Sequence, residues 1–235
     1  ESFQNFLRNV TETTKVGGYF IGTCYDGDSV FRMLRSTAQG GSVAIIDGGK
    51  KLWEVTKGYD RDDFPGNAAY VGYAIDVYQE SINKTAREFL VNFEYLVRMM
   101  DNYGLVLLER EEANELGLPA SSGLFTELFG QMNDEIERDR RAKDRYGAAP
   151  DMSDYEQRIS FLNRYFIFRK VRDVDAAKVA MSIMNQTVEE VENEEEATLR
   201  AQEAAKLALK EAAPKKRAPR KRVGRLKLKE EGTDK

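Results

Sequence analysis

Aromatic residues are plentiful up to about residue 173 and absent afterwards, where Ala, Glu, Gln and Lys dominate. A hydrophobic core therefore has to be built from the first ~170 residues, which is enough for one domain. The remainder is strongly segregated in charge. Residues 189–196 hold six glutamates, and residues 214–229 hold nine basic residues and no acid. The two runs largely offset one another, so the net charge of −4 hides a strong segregation of charge along the chain. The chain divides into a folded region over 1–172, a charged helical extension over 173–213 and a basic, disordered tail over 214–235. Pro214 ends the helical composition.

Several function classes are excluded by residue type. There is no histidine, so Ser-His or Cys-His nucleophilic catalysis and His-ligated zinc are out. Cys24 is the single cysteine and has no internal disulfide partner, which reads as an intracellular chain. No apolar run approaches the ~20 residues needed to cross a bilayer, so no membrane partner is expected. The opening Glu1-Ser2-Phe3-Gln4 has neither the basic start nor the apolar stretch of a signal peptide. The chain does not begin with Met, as expected of either a processed protein or a cut fragment.

Within the folded region the periodicity is mixed. Phe3, Phe6, Leu7 and Val10 fall at helical spacing before the Gly17-Gly18 break. Tyr19 to Cys24 is a short apolar run without polar alternation, as in a buried parallel strand. Asp26 or Asp28 is placed to cap a helix bearing Val30, Phe31 and Leu34. Val43–Ile46 and Leu52–Val55 flank Asp47-Gly48-Gly49, a hairpin signal, and a further strand is predicted from Tyr70 through Tyr78. Gly40-Gly41 and Gly48-Gly49 lack the strand–loop–helix order of a phosphate loop and read as turns. The stripe Phe89, Leu90, Phe93, Leu96, Val97, Met100 predicts a long helix over Ala86–Tyr103, stopped by Gly104. A strand over Leu105–Leu108, a helix near Gly123–Glu137 and a final strand over Ile159–Val171 complete the pattern.

Three stretches in this order carry a likeness: Phe6-Leu7-Arg8-Asn9 with Gly17-Gly18-Tyr19-Phe20-Ile21-Gly22-Thr23; Glu88-Phe89-Leu90-Val91-Asn92-Phe93; and Ser160-Phe161-Leu162-Asn163-Arg164-Tyr165-Phe166-Ile167-Phe168. Together they resemble the C-terminal part of mRNA cap guanine-N7 methyltransferases over roughly residues 1–172. Cys24-Tyr25-Asp26-Gly27 and Ser121-Ser122-Gly123-Leu124-Phe125 look most like the versions carried by large DNA viruses. The resemblance implies an α/β fold, the C-terminal half of a class I (Rossmann-like) S-adenosylmethionine methyltransferase. In it a parallel sheet ends in an antiparallel hairpin, here with a β-rich insert and a disordered tail. The family's glycine-rich donor motif has no counterpart here. The resemblance therefore implies that the S-adenosylmethionine site lies mostly in a missing N-terminal half, and that the strand at Tyr19 has one open edge and half-covered faces. Alone, the chain is expected to be poorly soluble, inactive and unable to bind the donor.

The resemblance also implies the cap-binding residues. Glu88 matches a glutamate that holds the cap guanine, whose adjacent N1–H and N2–H₂ donors a carboxylate accepts together. From the residues alone, Thr85-Ala86-Arg87-Glu88 equally fits a capping box. Tyr165 matches a tyrosine that walls the guanine pocket; periodicity alone makes it a core tyrosine. Tyr25 stands where many cellular relatives have proline, and is expected either to line the pocket or to pack on the β-rich insert. The implied reaction is methyl transfer from S-adenosylmethionine to guanine N7, in line with the departing sulfur. N7 carries a free lone pair, so no general base is required, and positioning and electrostatics carry the rate. The implied partners are capped RNA and the missing half or upstream capping domains. The alternative is a non-catalytic stimulatory or RNA-binding module, using Lys215-Lys216-Arg217 and Arg220-Lys221-Arg222 on phosphates.

Overall fold

In the computed structural model of the chain, residues 2–185 and Arg200 are described. The charge runs at 189–196 and 214–229, including the basic triplets of the tail, lie outside the described residues.

The chain opens with helix α1 (Ser2–Thr13), whose Leu7 is fully buried, and enters strand β1 (Tyr19–Tyr25). Asp26 then caps the short helix α2 (Gly27–Met33), accepting from the Ser29 N–H at 2.9 Å. Two hairpins follow. Strands β2 (Ser42–Asp47) and β3 (Lys50–Lys57) join through Gly48-Gly49, both at positive φ, as a tight two-residue turn requires. Strands β4 (Ala74–Gln79) and β5 (Lys84–Phe89) join through a loop with Asn83 at φ 48°. The four pair antiparallel in the order β2-β3-β4-β5. Alternation puts Ile45, Trp53, Val55, Ile75 and Val77 on one buried face.

The first sheet is assembled from distant parts of the chain. After helix α3 (Phe93–Asn102) come strand β6 (Leu105–Leu107), helix α4 (Arg110–Glu115), strand β7 (Ser122–Leu124) and helix α5 (Phe125–Arg138). Two 3-10 turns precede helix α6 (Asp154–Ser160) and the last strand, β8 (Asn163–Lys170). β8 is the hub: β1 pairs along one side of it, β6 and β7 along the other, all antiparallel. Thr11, Asp26, Lys57, Asn92 and Lys170 are buried polar residues, with Lys170 Nζ donating to the Thr11 carbonyl.

Two apolar clusters hold the layers together. One lies between the buried face of the second sheet and α2, around Val30, Leu34, Trp53 and Ile75. It is dense in rings, with Tyr59 stacked on Tyr73 at 5.0 Å and Phe64 edge-on to Tyr70 at 5.3 Å. The other lies between the first sheet and α1 and α3, around Leu7, Met100, Leu105 and Phe168, each fully buried. Each such side chain contributes ~1.5–3 kcal/mol through burial. Helical residues 176–185 lie beyond residue 172 and add Ala176 and Ile183 to this second cluster.

Four sequence expectations need correction. The helix over Ala86–Tyr103 is two elements: Lys84–Phe89 is a strand, and α3 starts only after Asn92, whose side chain accepts from the Tyr95 N–H at 3.0 Å. No capping box therefore forms from Thr85 and Glu88. The run at Tyr19–Cys24 is not a buried parallel strand: β1 is antiparallel to β8 at the sheet edge, with Tyr19 and Ile21 50% and 67% exposed. The strand expected from Tyr70 starts at Ala74, after a 3-10 turn over Ala68–Tyr70. The final strand starts at Asn163 rather than Ile159, because a Ser153–Glu156 capping box opens α6 ahead of it.

The two sheets meet where Gly27 of α2 touches the β5–α3 connection. A Cβ at Gly27 would lie 2.3 Å from the Val91 carbonyl oxygen and 2.7 Å from the Phe64 ring. Gly27→Ala is expected to destabilise the protein by about 1–3 kcal/mol through overpacking, measured as a lowered denaturant midpoint with an unchanged slope.

Candidate functional site

Tyr25, Asp26 and Gly27 form the turn from the end of β1 into α2, and Arg164 and Tyr165 stand near the start of β8, directly opposite. The register pairs Cys24 with Arg164, Tyr25 with Asn163 and Thr23 with Tyr165. Successive strand residues point to opposite faces, so Tyr25 and Tyr165 share one face of the sheet as diagonal neighbours, ~7–8 Å apart. Arg164, Cys24, Phe166 and Phe168 point to the other.

Each tyrosine is held by a specific bond. Tyr165 is 7% exposed and donates its phenol proton to the Ala120 carbonyl at 3.0 Å. Its ring lies against Gly123, where a Cβ would come within 3.0 Å of Cε1. Burial raises the phenol's pKa, and the nearby Glu127 carboxylate raises it further. Tyr25 reaches across to the second sheet, where its oxygen accepts from Trp53 Nε1 at 3.2 Å. Tyr25 is thus half-buried and packs on the β-rich sheet, while its ring stays on the Tyr165 face.

Glu88 sits on the edge strand β5, opposite Ile75, and so shares the face of the second sheet that carries the aromatic cluster. Its carboxylate has no hydrogen-bond or ion-pair partner among the described residues. Its neighbour Arg87 is by contrast paired with Asp76, at 2.8 Å. Burial alone raises the Glu88 pKa. A half-buried acid with nothing to offset its desolvation is a local cost, and such costs concentrate where a ligand completes the site.

Glu88 and the two tyrosines are not brought into mutual contact. Trp53, which touches Tyr25, lies on the same face as Glu88, but Glu88 aligns across the sheet with Ile75 and Lys57. Lys57 is four residues beyond Trp53 on β3, ~14 Å along the strand. Two open clefts exist elsewhere. One, of about 460 Å³, lies between α5 and the 3-10 turns and is lined by Phe125, Phe129, Met132 and Tyr146. The other, of about 330 Å³, is lined by Phe3, Phe6, Val71 and the Phe89–Val91 segment. Neither is lined by Glu88, Tyr25 or Tyr165.

The sequence reading missed two contributors, Trp53 and the Asp26–Arg164 pair. Trp53 is the single tryptophan and falls on the apolar phase of a predicted strand, which looks like any core residue. Arg164 lies within the last motif, but its partner is 138 residues away.

The sequence pattern of the mRNA (guanine-N(7))-methyltransferase domain matches residues 1–208. The chain belongs to this family. Among similar proteins, the chain is 26% identical over 203 residues to the probable mRNA-capping enzyme of Acanthamoeba polyphaga mimivirus. It is 25% identical over 175 residues to the mRNA cap guanine-N(7) methyltransferase of Saccharomyces cerevisiae. The first alignment covers 74% of this chain and 16% of the viral protein; the second covers 73% of this chain and 38% of the yeast protein. The chain thus spans less than two fifths of either relative. No described helix of this methyltransferase-family chain is long and apolar enough to cross a membrane.

The family is S-adenosylmethionine-dependent, so the described residues can be tested against that donor. The strand-to-helix turn of the first sheet at β1–α2 contains no glycine-rich loop. Its helix start is filled by the Asp26 carboxylate, which accepts from Ser29 and Arg164.

Proposed function

We propose that this chain supplies the cap-guanine pocket of an mRNA (guanine-N7) methyltransferase, while most of the donor site is formed by other sequence. The observation that carries this reading is Glu88: a half-buried carboxylate, without a protein partner, on the face shared with the aromatic cluster. Guanine offers two adjacent N–H donors that match one carboxylate, and adenine cannot present that pair. In this reading Glu88 takes the Watson–Crick edge, and Tyr165 and Tyr25, on the other sheet and not in contact with Glu88, bound the far side of the cap. Tyr165 is a rigid wall, because its phenol is already committed to Ala120. Tyr25 accepts from Trp53, which leaves its own proton free to donate to the cap. No residue acts as acid, base or nucleophile. The protein's part is to orient the base so that N7 is presented, while the carboxylate favours the positive charge the purine acquires.

The open edge of β1, with exposed Tyr19 and Ile21, supports the reading that further strands complete the first sheet. Capped RNA is the proposed substrate, and the rest of the methyltransferase domain, or upstream capping domains, the proposed partner.

Equilibrium titration with a dinucleotide cap analogue, against the adenosine-capped equivalent, tests the pocket. Removing residues 214–235 is expected to leave cap-analogue affinity unchanged while weakening the salt dependence of binding to long RNA, because the basic run acts only by counterion release. Loss of all cap discrimination in that truncation would instead place the binding function in the tail.

A further inference from the structure

The three residues assigned to the cap all lie within a few positions of one buried polar knot. Asp26, 3% exposed, follows Tyr25; Arg164 precedes Tyr165; and Val91, whose carbonyl accepts from the Gly27 N–H at 3.1 Å, lies three residues after Glu88. One Asp26 oxygen accepts from the Ser29 N–H and hydroxyl at 2.9 and 2.7 Å. The other accepts from Arg164 Nε at 2.9 Å. Arg164 continues the chain of bonds, donating from a terminal nitrogen to Ser122 Oγ at 3.2 Å. Ser122 Oγ in turn donates to the backbone carbonyl of Tyr165 at 2.7 Å. The guanidinium lies over the Phe93 ring, 4.6 Å from its centre, at the first turn of α3. Burial pushes the Asp26 carboxyl pKa up, but its bonds to Ser29 and Arg164 override this and leave it lowered.

We infer that Asp26 and Arg164 are positioning residues for cap binding. Their ion pair clamps the β1–α2 turn, β7 and the start of α3 onto β8, and so fixes the Tyr25 and Tyr165 rings relative to each other. A helix cap alone needs only the Ser29 bonds, and a generic core position would take an apolar side chain. What the pair adds is a directional link between segments far apart in sequence, in which each partner is covalently next to one ring. Arg rather than Lys is required, since two donors in a fixed plane serve Asp26 and Ser122 together. That the rings serve the cap rests on the proposed guanine reading; that the pair positions them does not.

The test uses the 235-residue chain labelled with 3-fluorotyrosine, its Tyr25 and Tyr165 fluorine resonances assigned by Tyr→Phe variants. Arg164→Met alone strands a buried carboxylate, so the main variant is the paired Asp26→Asn/Arg164→Met, which removes both charges and keeps an asparagine helix cap. The Tyr25 and Tyr165 resonances are expected to shift or broaden, while those of Tyr59, Tyr70, Tyr73 and Tyr95 in the aromatic cluster stay in place. Ser122→Ala is expected to move only the Tyr165 resonance. Cap-analogue affinity of the paired variant is expected to fall about tenfold, the equivalent of ~1.4 kcal/mol. Unmoved Tyr25 and Tyr165 resonances would overturn the inference, and so would a shift shared by all the tyrosines, which reports a global change. A wild-type chain that binds no cap analogue would remove the guanine reading, and the resonances would still decide the clamp.

Discussion

Glu88→Gln is expected to lower affinity for a cap analogue about a hundredfold and to leave the fold as stable as before, or slightly more so. Glutamine keeps one acceptor and turns the other into a donor facing a guanine N–H. Hydrogen bonds to a charged group are worth ~1.5–3 kcal/mol, and ~2.7 kcal/mol is about a hundredfold in affinity. The effect on the fold has the opposite sign, because the ionised Glu88 is half-buried with no partner among the described residues. The pH dependence separates the two roles. The folded pKa of Glu88 is raised above its ordinary value by burial. Between the ordinary value and the raised one, the native state binds more protons than the unfolded state, so Glu88's contribution to stability falls as pH rises through that window. Cap binding needs the carboxylate and strengthens over the same window. Titration of cap affinity and thermal melts from acid to neutral pH read both. Affinity that falls in step with stability, or that ignores the substitution, removes Glu88 from the pocket.

The second large effect is expected at Tyr165. Its ring is buried against Gly123, so Tyr165→Ala opens a cavity as well as removing a wall. The expected cost is about 3–5 kcal/mol of folding stability, together with loss of measurable cap binding. Tyr165→Phe removes only the bond to the Ala120 carbonyl, for about 1 kcal/mol, and is expected to keep most of the affinity because the ring remains. Denaturant unfolding with cap titration of both variants checks this. If Tyr165→Phe loses binding as fully as Tyr165→Ala, the phenol rather than the ring face contacts the cap, and the Ala120 bond is exchanged on binding.

Much of the fold is written locally. The Gly48-Gly49 hairpin, the Asp26 cap and the Leu105 strand follow from turn chemistry and short periodicities. The errors have one physical origin. Phe89, Leu90, Phe93, Leu96 and Met100 fall on a helical stripe, yet Phe89 ends β5 and Leu90 lies in the connection that follows it. The segment Lys84–Phe89 finds its hydrogen bonds across the loop at Asn83, on β4, and that pairing outweighs the local pattern. Asn92, a strong N-cap residue beside Phe93, marks the true helix start, and Ser153-x-x-Glu156 marks α6 just as plainly. β1 misled for a similar reason. An apolar run reads as buried whether or not something covers it, and exposure is a tertiary property. For the site, motif order singled out Glu88, Tyr165 and Tyr25, but their support was not legible. Trp53 and Ala120 act through contacts 28 and 45 residues away.

The hub position of β8 also dictates an order of events in folding. The second sheet is two hairpins with nearest-neighbour pairing, so it closes short loops and can form early. β1 must wait for a partner far downstream, since Tyr19 aligns with Arg169 and Tyr25 with Asn163. Contacts of such long range carry the largest closure entropy and slow the search for the native state. During synthesis, the sheet bearing Glu88 can therefore pair before β1 and β8, which bear Tyr25 and Tyr165, can meet. A ribosome-bound chain completes the β1–β8 pairing only after β8 has left the exit tunnel.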